Sequence, residues 1–267
     1  MPRDVPLPRG LKPPSRLATL GELALPLDML RYGFGGWQVI GAPRGAGRPV
    51  VLLPGYGASE VSMRPLEAWL RHLGYHVRDW GLGRNQGRIA ADVQRFAAQA
   101  AAWADGAPLT LIGWSLGGVI ARETAREYPH LVREIVTLGT PIIGGPKYTA
   151  LAERFAGRDF DAYEREIHAR NLQGLTQPLT VIYSDRDGIV GPDIAVDIYN
   201  PQARNLKVDA THLGLGISPR VWRIIADTLA GKSCVVIARS GGDEAISSYR
   251  PVRTIAGDCR GSFGASQ

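Results

Sequence analysis

The sequence GWSLGG, residues 113–118, follows the apolar run Leu109–Ile112 and precedes a segment with helical periodicity. A Gly-x-Ser-x-Gly pattern between a strand and a helix predicts a tight turn, because glycine leaves room for the backbone on either side of the serine. The turn would raise the Ser115 hydroxyl above the strand end, at the N-terminus of the next helix. Free N–H groups there favour developing negative charge. The stretch therefore predicts a nucleophilic serine.

A nucleophilic serine needs a base to take its proton. Three of the five histidines follow Ser115 in the chain. We expect His130, near a helix end, and His168, in a charged helical stretch, to face solvent. His212 stands in a loop after the strand-like run Asn205–Val208, where a base would be presented. We predict His212 as the base; a histidine with a purely structural role in its loop is the alternative.

The base in turn needs an acid that orients its ring. A β-branched, apolar run at 179–183 predicts a strand, and two carboxylates follow it. Asp187 begins the turn Asp-Gly-Ile-Val, and Asp185 is the competitor. We prefer Asp187 because Gly188 permits a sharp turn that would present its carboxylate. The alternative is that both aspartates only cap the turn.

Two N–H donors would be needed to hold the oxyanion that forms during acyl transfer. One is the backbone N–H of Leu116, the residue after the nucleophile. The second is expected from the glycine-rich loop GYGAS, residues 55–59, which follows a predicted strand at 49–53. The N–H of Tyr56 is the predicted donor. An ordinary glycine-rich turn is the alternative.

Together these motifs resemble those of the α/β-hydrolases, of the serine esterase and lipase type, over roughly residues 49–230. The loop at 53–57, with Pro54 where many lipases carry His, and the turn Gly139-Thr140-Pro141 strengthen the resemblance. The sequence WGLGRN at 80–85 is similar to a bacterial subgroup of uncharacterised hydrolases. Within that loop, Arg84 and Asn85 either orient a substrate or, as we favour, tie the loop down.

The resemblance implies an α/β-hydrolase fold with a mostly parallel sheet and helices on both faces. It also implies a catalytic triad of Ser115, Asp187 and His212 that cleaves carboxylic esters, small or lipid-like, through an acyl-enzyme without a cofactor. An acyltransferase with the same triad is one alternative. A non-catalytic binding protein with this fold is another.

Alternating patterns agree with this fold class. Strands are predicted at 49–53, 75–79, 108–113, 134–138, 179–184 and 204–208, and helices at 61–73, 88–104, 115–128 and 219–230. We divide the chain into an N-terminal extension (1–48), a hydrolase domain (49–230) with a small cap insertion (142–177), and a flexible tail (231–267). The extension carries a leucine stripe at 17–30, which favours a helix packed on the domain over a lipid-facing flap.

Composition narrows the function classes. The net charge of +6 is spread along the chain without a Lys/Arg block, which argues against nucleic-acid binding but leaves peripheral contact with acidic membranes open. The proline-rich N-terminus lacks an apolar signal region, and no run approaches about 20 apolar residues, so we expect a cytoplasmic protein. No metal-ligand spacing is present, and Cys234 and Cys259 are expected to stay reduced. The sequence does not indicate an oligomeric state.

Overall fold

The computed structural model describes residues 5–25, 28–29, 39–104, 107–155, 157 and 159–232. From residue 233 onward the predicted flexible tail, with both cysteines, lies outside the described residues. Leu27 and Leu30 of the leucine stripe lie outside them too.

A single sheet forms the centre of the described part of the chain. Its strands are β1 (Pro49–Leu53), β2 (His76–Asp79), β3 (Leu109–Trp114), β4 (Val132–Leu138), β5 (Leu179–Ser184) and β6 (Arg204–Val208). They lie in the order β2-β1-β3-β4-β5-β6, and all neighbouring pairs are parallel. Each strand begins and ends within two residues of its predicted run. The predicted α/β class with a parallel sheet is confirmed.

Helices cover both faces of this sheet. They are α1 (Arg16–Gly21), α2 (Arg64–His72), α3 (Ile89–Ala104), α4 (Leu116–Glu127), α5 (Phe160–Leu172), α6 (Pro192–Ala195) and α7 (Pro219–Leu229). Odd-numbered residues of β1, such as Val51, pack with α3, α4 and α6, whereas even-numbered ones, such as Val50, pack with α2 and α7. Trp69 of α2 stacks on Trp222 of α7 with ring centroids 5.4 Å apart. The two cores follow directly from the alternation of strand side chains.

The turn between β3 and α4 has the strained backbone that the sequence predicts. Ser115 has φ 53° and ψ −122°, a region that residues with a Cβ rarely occupy. Its neighbours must be small, since a Cβ on Gly113 would lie 2.4 Å from the Gly118 Cα and one on Gly117 would lie 2.2 Å from the Leu53 carbonyl oxygen. The turn therefore depends on backbone-to-backbone contact with β1 and with its own helix.

The N-terminal segment differs from expectation in how it packs. Leu17, Leu20 and Leu23 are 80%, 59% and 76% exposed, so these three leucines of the stripe do not face the domain. The segment instead contacts the domain through polar groups, among them Thr19 and Glu22. Hydrophobic periodicity predicted the short helix α1 but assigned its buried face wrongly.

Gly117→Ala should lower the free energy of unfolding by about 3 kcal/mol, the upper part of the range for overpacking, because the added methyl meets backbone that cannot rotate away. Thermal and denaturant unfolding measure the change. The matched control is Gly21→Ala, since a Cβ there meets nothing within 4 Å. Equal stabilities for the two variants would contradict the contact between the turn and β1.

Candidate active site

His212 and Asp187 form a buried pair. The Nδ1 atom of His212 lies 2.7 Å from the Oδ2 atom of Asp187, and the two residues are 4% and 1% exposed. The other carboxylate oxygen of Asp187 accepts hydrogen bonds from the N–H groups of Ile189 and Val190, at 2.9 and 2.7 Å. Because the carboxylate can only accept from the ring, Nδ1 carries the proton and Nε2 keeps its lone pair.

The pKa of His212 reflects opposing effects. Burial lowers the pKa of the imidazolium, but the Asp187 carboxylate, its hydrogen bond and the charge of Glu22 outweigh burial and raise it above its ordinary value. The neutral imidazole is the form that can accept a proton, and it predominates only above this raised pKa. Acidification through that raised pKa therefore removes the proton acceptor.

Asp185 has a different environment from Asp187. Its side chain is 58% exposed and pairs with Lys207 at 2.9 Å. Gly188 stands in the bend that follows Asp187, although it is not among the positive-φ glycines. A Cβ on Gly188 would instead lie 2.1 Å from the carbonyl oxygen of Ala18. The absence of a side chain at Gly188 therefore lets the backbone of the N-terminal segment pack against the loop that carries Asp187.

Ser115 is joined to this pair through its neighbours. The ring of Trp114 lies 5.9 Å from the His212 ring, and the Ser115 N–H donates to the Leu138 carbonyl at the end of β4. The Thr140 hydroxyl donates to the Ser115 carbonyl at 2.9 Å. Among the described contacts no hydrogen bond joins the Ser115 hydroxyl to His212, a bond that often tightens only when substrate binds.

Gly139 leaves space for the side chains of Asp187 and His212. It has φ 52°, and a Cβ on it would lie 2.6 Å from Asp187 Oδ2 and 3.0 Å from His212 Nδ1. The turn Gly139-Thr140 therefore contacts all three residues, with Gly139 beneath the pair and Thr140 on the serine backbone. The sequence singled out this turn by resemblance, but nothing in the pattern indicated these contacts.

The loop that carries Tyr56 is held by Asn85. The Asn85 side chain is fully buried; it donates to the Pro54 carbonyl at 2.8 Å and accepts from the Gly87 N–H at 3.0 Å. Its backbone pairs with the N–H of Gly57 and the carbonyl of Ala58. The prediction that Asn85 ties down a loop is confirmed. Arg84, which also bonds Gly57, is exposed.

A cavity of about 570 Å³ opens beside the turn. Ser115, Leu116 and Tyr56 form one part of its wall, and the region predicted as a cap forms much of the rest. Most of the lining is apolar and includes Ile89, Val119, Ile142, Ile167 and Val190. Leu116 is the first residue of α4, so its N–H lies at the helix N-terminus beside the serine.

The cap helix α5 is fastened to α4 by charged groups. Arg170 pairs with Glu123 and, at 2.6 Å, with Glu127. Deeper in, Arg122 pairs with Asp197 at 2.5 Å and also reaches Asn171 of α5. Because the helix that begins after Ser115 is also bonded to α5, the cavity wall is tied to the turn at Ser115.

His168 corrects a prediction. It was expected to face solvent, but it is half-buried and its Nδ1 lies 3.0 Å from the hydroxyl of the buried Tyr199. A charged sequence environment did not reveal this contact because the partner lies 31 residues away. Within the described ranges, no group of three His, Cys, Asp or Glu side chains could hold a metal ion.

Comparisons with known proteins agree with this architecture. A family model described as alpha/beta hydrolase fold matches residues 49–173. A solved esterase from Pyrococcus furiosus superposes with a TM-score of 0.52 and 18% identity, covering 70% of this chain and 82% of that one. The chain has the α/β-hydrolase fold. A structure described with two metagenome-derived lipolytic enzymes superposes with a TM-score of 0.53 and 17% identity, over 71% of this chain and 95% of that one.

Sequence relatives of this α/β-hydrolase-fold chain include two pimeloyl-[acyl-carrier protein] methyl ester esterases. That of Sodalis glossinidius is 36% identical over 106 residues, 39% of this chain and 40% of that protein. That of Serratia marcescens is 32% identical over 111 residues, 39% of this chain and 40% of that protein. The matched region thus spans less than half the length of these relatives.

No helix in the described ranges combines the length and apolar character needed to cross a bilayer.

Asn85→Ala should lower the free energy of unfolding by about 1–3 kcal/mol, because the buried Pro54 carbonyl and Gly87 N–H lose their partner. Denaturant unfolding measures this, and hydrogen exchange at Gly87 should speed up. Arg84→Ala is the control: it contacts the same loop from the surface and should change stability by less than about 0.5 kcal/mol. A larger effect from Arg84 than from Asn85 would contradict the role assigned to Asn85.

Proposed function

We propose that this chain hydrolyses carboxylic esters, with Ser115 as nucleophile, His212 as general base and Asp187 as the acid that orients it. The observation that carries the proposal is the buried 2.7 Å contact between His212 and Asp187. It lies at the carboxyl ends of parallel strands, the same edge of the sheet where the strained turn presents Ser115. The esterase relatives add support for ester hydrolysis.

In the proposed reaction the Ser115 oxygen attacks the ester carbonyl while His212 Nε2 takes the serine proton. The N–H groups of Leu116 and Tyr56 hold the resulting oxyanion. Collapse of the intermediate expels the alcohol, which receives the proton from His212, and leaves an acyl-serine. Water then attacks the acyl group as His212 takes its proton, and the carboxylic acid and free serine are released.

The substrates we propose are esters with short-to-medium acyl chains. The cavity beside Ser115 is limited to about 570 Å³ and is mostly apolar, which suits an uncharged acyl chain. Of its charged wall residues, Arg122, Glu123 and Arg170 are paired with one another or with neighbouring groups, whereas Arg88 and Glu166 are exposed.

Ser115→Ala should leave the fold intact and lower kcat by about 10⁶, the loss seen when a serine nucleophile is removed. Hydrolysis of p-nitrophenyl esters and covalent labelling by a fluorophosphonate probe measure this. The control is Ser62→Ala, which changes a serine outside the cavity wall. It should react with the fluorophosphonate probe and hydrolyse p-nitrophenyl esters as the wild type does. Activity of Ser115→Ala within tenfold of wild type would refute the nucleophile.

Asp187→Asn should lower kcat by about 10⁴, because an amide donor facing Nδ1 selects the wrong imidazole tautomer. Asp185→Asn makes the same chemical change at the exposed neighbour and should have little effect. Steady-state rates of the two variants decide between them. The reverse ranking would assign the acid to Asp185.

Val119→Phe should shift the preferred acyl chain to shorter lengths by filling the cavity wall one turn beyond the nucleophile. Val61→Phe adds the same bulk at a surface site that is 59% exposed and should leave the preference unchanged. A chain-length series of p-nitrophenyl esters, measured below and above micelle formation, gives kcat/KM for each. A sharp rise at the interface with long chains preferred would contradict the proposed substrate class.

A further inference from the structure

The carboxylate of Glu22 binds the backbone of two loops at once. Its Oε1 atom accepts hydrogen bonds from the N–H groups of Gly188 and His212, both at 2.8 Å, and its Oε2 atom accepts from Leu213 at 3.0 Å. The residue is only 8% exposed. One carboxylate thus connects the residue after Asp187 with His212 itself.

Neighbouring groups on the N-terminal segment reinforce this contact. The Thr19 hydroxyl donates to the Gly188 carbonyl at 2.8 Å, and the absent side chain of Gly188 lets the Ala18 carbonyl approach. Asp28 accepts from the Thr211 hydroxyl at 3.0 Å and pairs with Arg186. The segment therefore contacts Arg186 and Gly188, the residues on either side of Asp187. It also contacts Thr211, the residue before His212.

We propose that Glu22 is a positioning residue for the acid–base pair: it fixes the loop after β5 against the loop after β6, and so sets how the His212 ring meets Asp187. This inference rests on the proposed function. Glu22 contacts neither the cavity wall nor the serine, so it acts through the pair. A carboxylate suits this position, since hydrogen bonds from N–H groups to an ionised acceptor are about twice as strong as neutral ones.

Charge gives Glu22 a second effect on the same ring. The charged groups facing the His212 imidazole are Asp187, from the loop after β5, and Glu22, from the N-terminal segment. Arg186, the residue before Asp187 in the same loop, pairs with Asp28 of the N-terminal segment, and β3 contributes the uncharged ring of Trp114. The Glu22 carboxylate raises the pKa of His212, so its removal should move that pKa downward.

Three variants separate geometry from charge. Glu22→Gln removes the charge and turns an N–H₂ donor towards one of the loop N–H groups. Glu22→Asp keeps the charge on a side chain one methylene shorter, which cannot reach all three donors. Thr19→Val is the matched control, because it weakens the same contact with Gly188 and changes no charge.

The experiment measures kcat, KM and the pH profile of kcat/KM for each variant, with NMR titration of the His212 ring as a readout that needs no activity. Glu22→Gln should lower kcat by about ten- to a hundredfold, as a misplaced catalytic group does, with little change in KM. In this variant, the acid limb of the kcat/KM profile and the midpoint of the His212 NMR titration should both move to lower pH. Glu22→Asp should lower kcat while the limb stays near the wild-type pH, and Thr19→Val should leave the limb unmoved.

Wild-type kcat and an unmoved limb in Glu22→Gln would overturn the inference, as would an equal shift in Thr19→Val. If Glu22→Gln does not unfold cooperatively, Glu22→Asp decides, and wild-type kcat in that variant overturns the role. Absence of ester turnover and of fluorophosphonate labelling in the wild type would instead refute the proposed function. In that case the NMR titration alone would test whether Glu22 raises the pKa of the His212 ring.

Discussion

The strained backbone of Ser115 is the constraint on which the rest of the site depends. A residue with a Cβ at φ 53° costs of order 1–3 kcal/mol and persists only where its surroundings hold it. Here β1 contacts Gly117, β4 accepts the Ser115 N–H, and Thr140 binds its carbonyl. The ends of β1 and β4 thus meet at the turn that follows β3, which explains why the parallel order of the sheet matters for the chemistry proposed.

Local sequence was enough to predict the sheet. Inner strands of a parallel sheet are buried on both faces and appear as continuous apolar runs, whereas the edge strands β2 and β6 also carry exposed polar residues. β3 shows this clearly, since all six of its residues are buried. The Gly-x-Ser-x-Gly turn could be predicted equally well, because its glycines are required by close contacts within a few residues or with the neighbouring strand. Ser115, Asp187 and His212 were named from such local patterns.

Residues that act across long distances in the chain could not be predicted in this way. Glu22 contacts partners 166 to 191 residues away, and a lone glutamate in a leucine-rich stretch carries no signal of that. The leucine periodicity even pointed to the wrong face of α1, because Leu17 and Leu20 are exposed while Thr19 and Glu22 bind the domain through hydrogen bonds. The contact between His168 and Tyr199 escaped for the same reason.

The distance along the chain between Glu22 and His212 also means that the two residues are synthesised at different times. Their hydrogen bond joins residues 190 positions apart. At synthesis rates of about 5–20 residues per second, Glu22 is added to the chain roughly 10–40 s before His212. The Glu22 carboxylate of an emerging chain therefore stays hydrated until the loop after β6 has been made, because two of its three hydrogen bonds come from that loop.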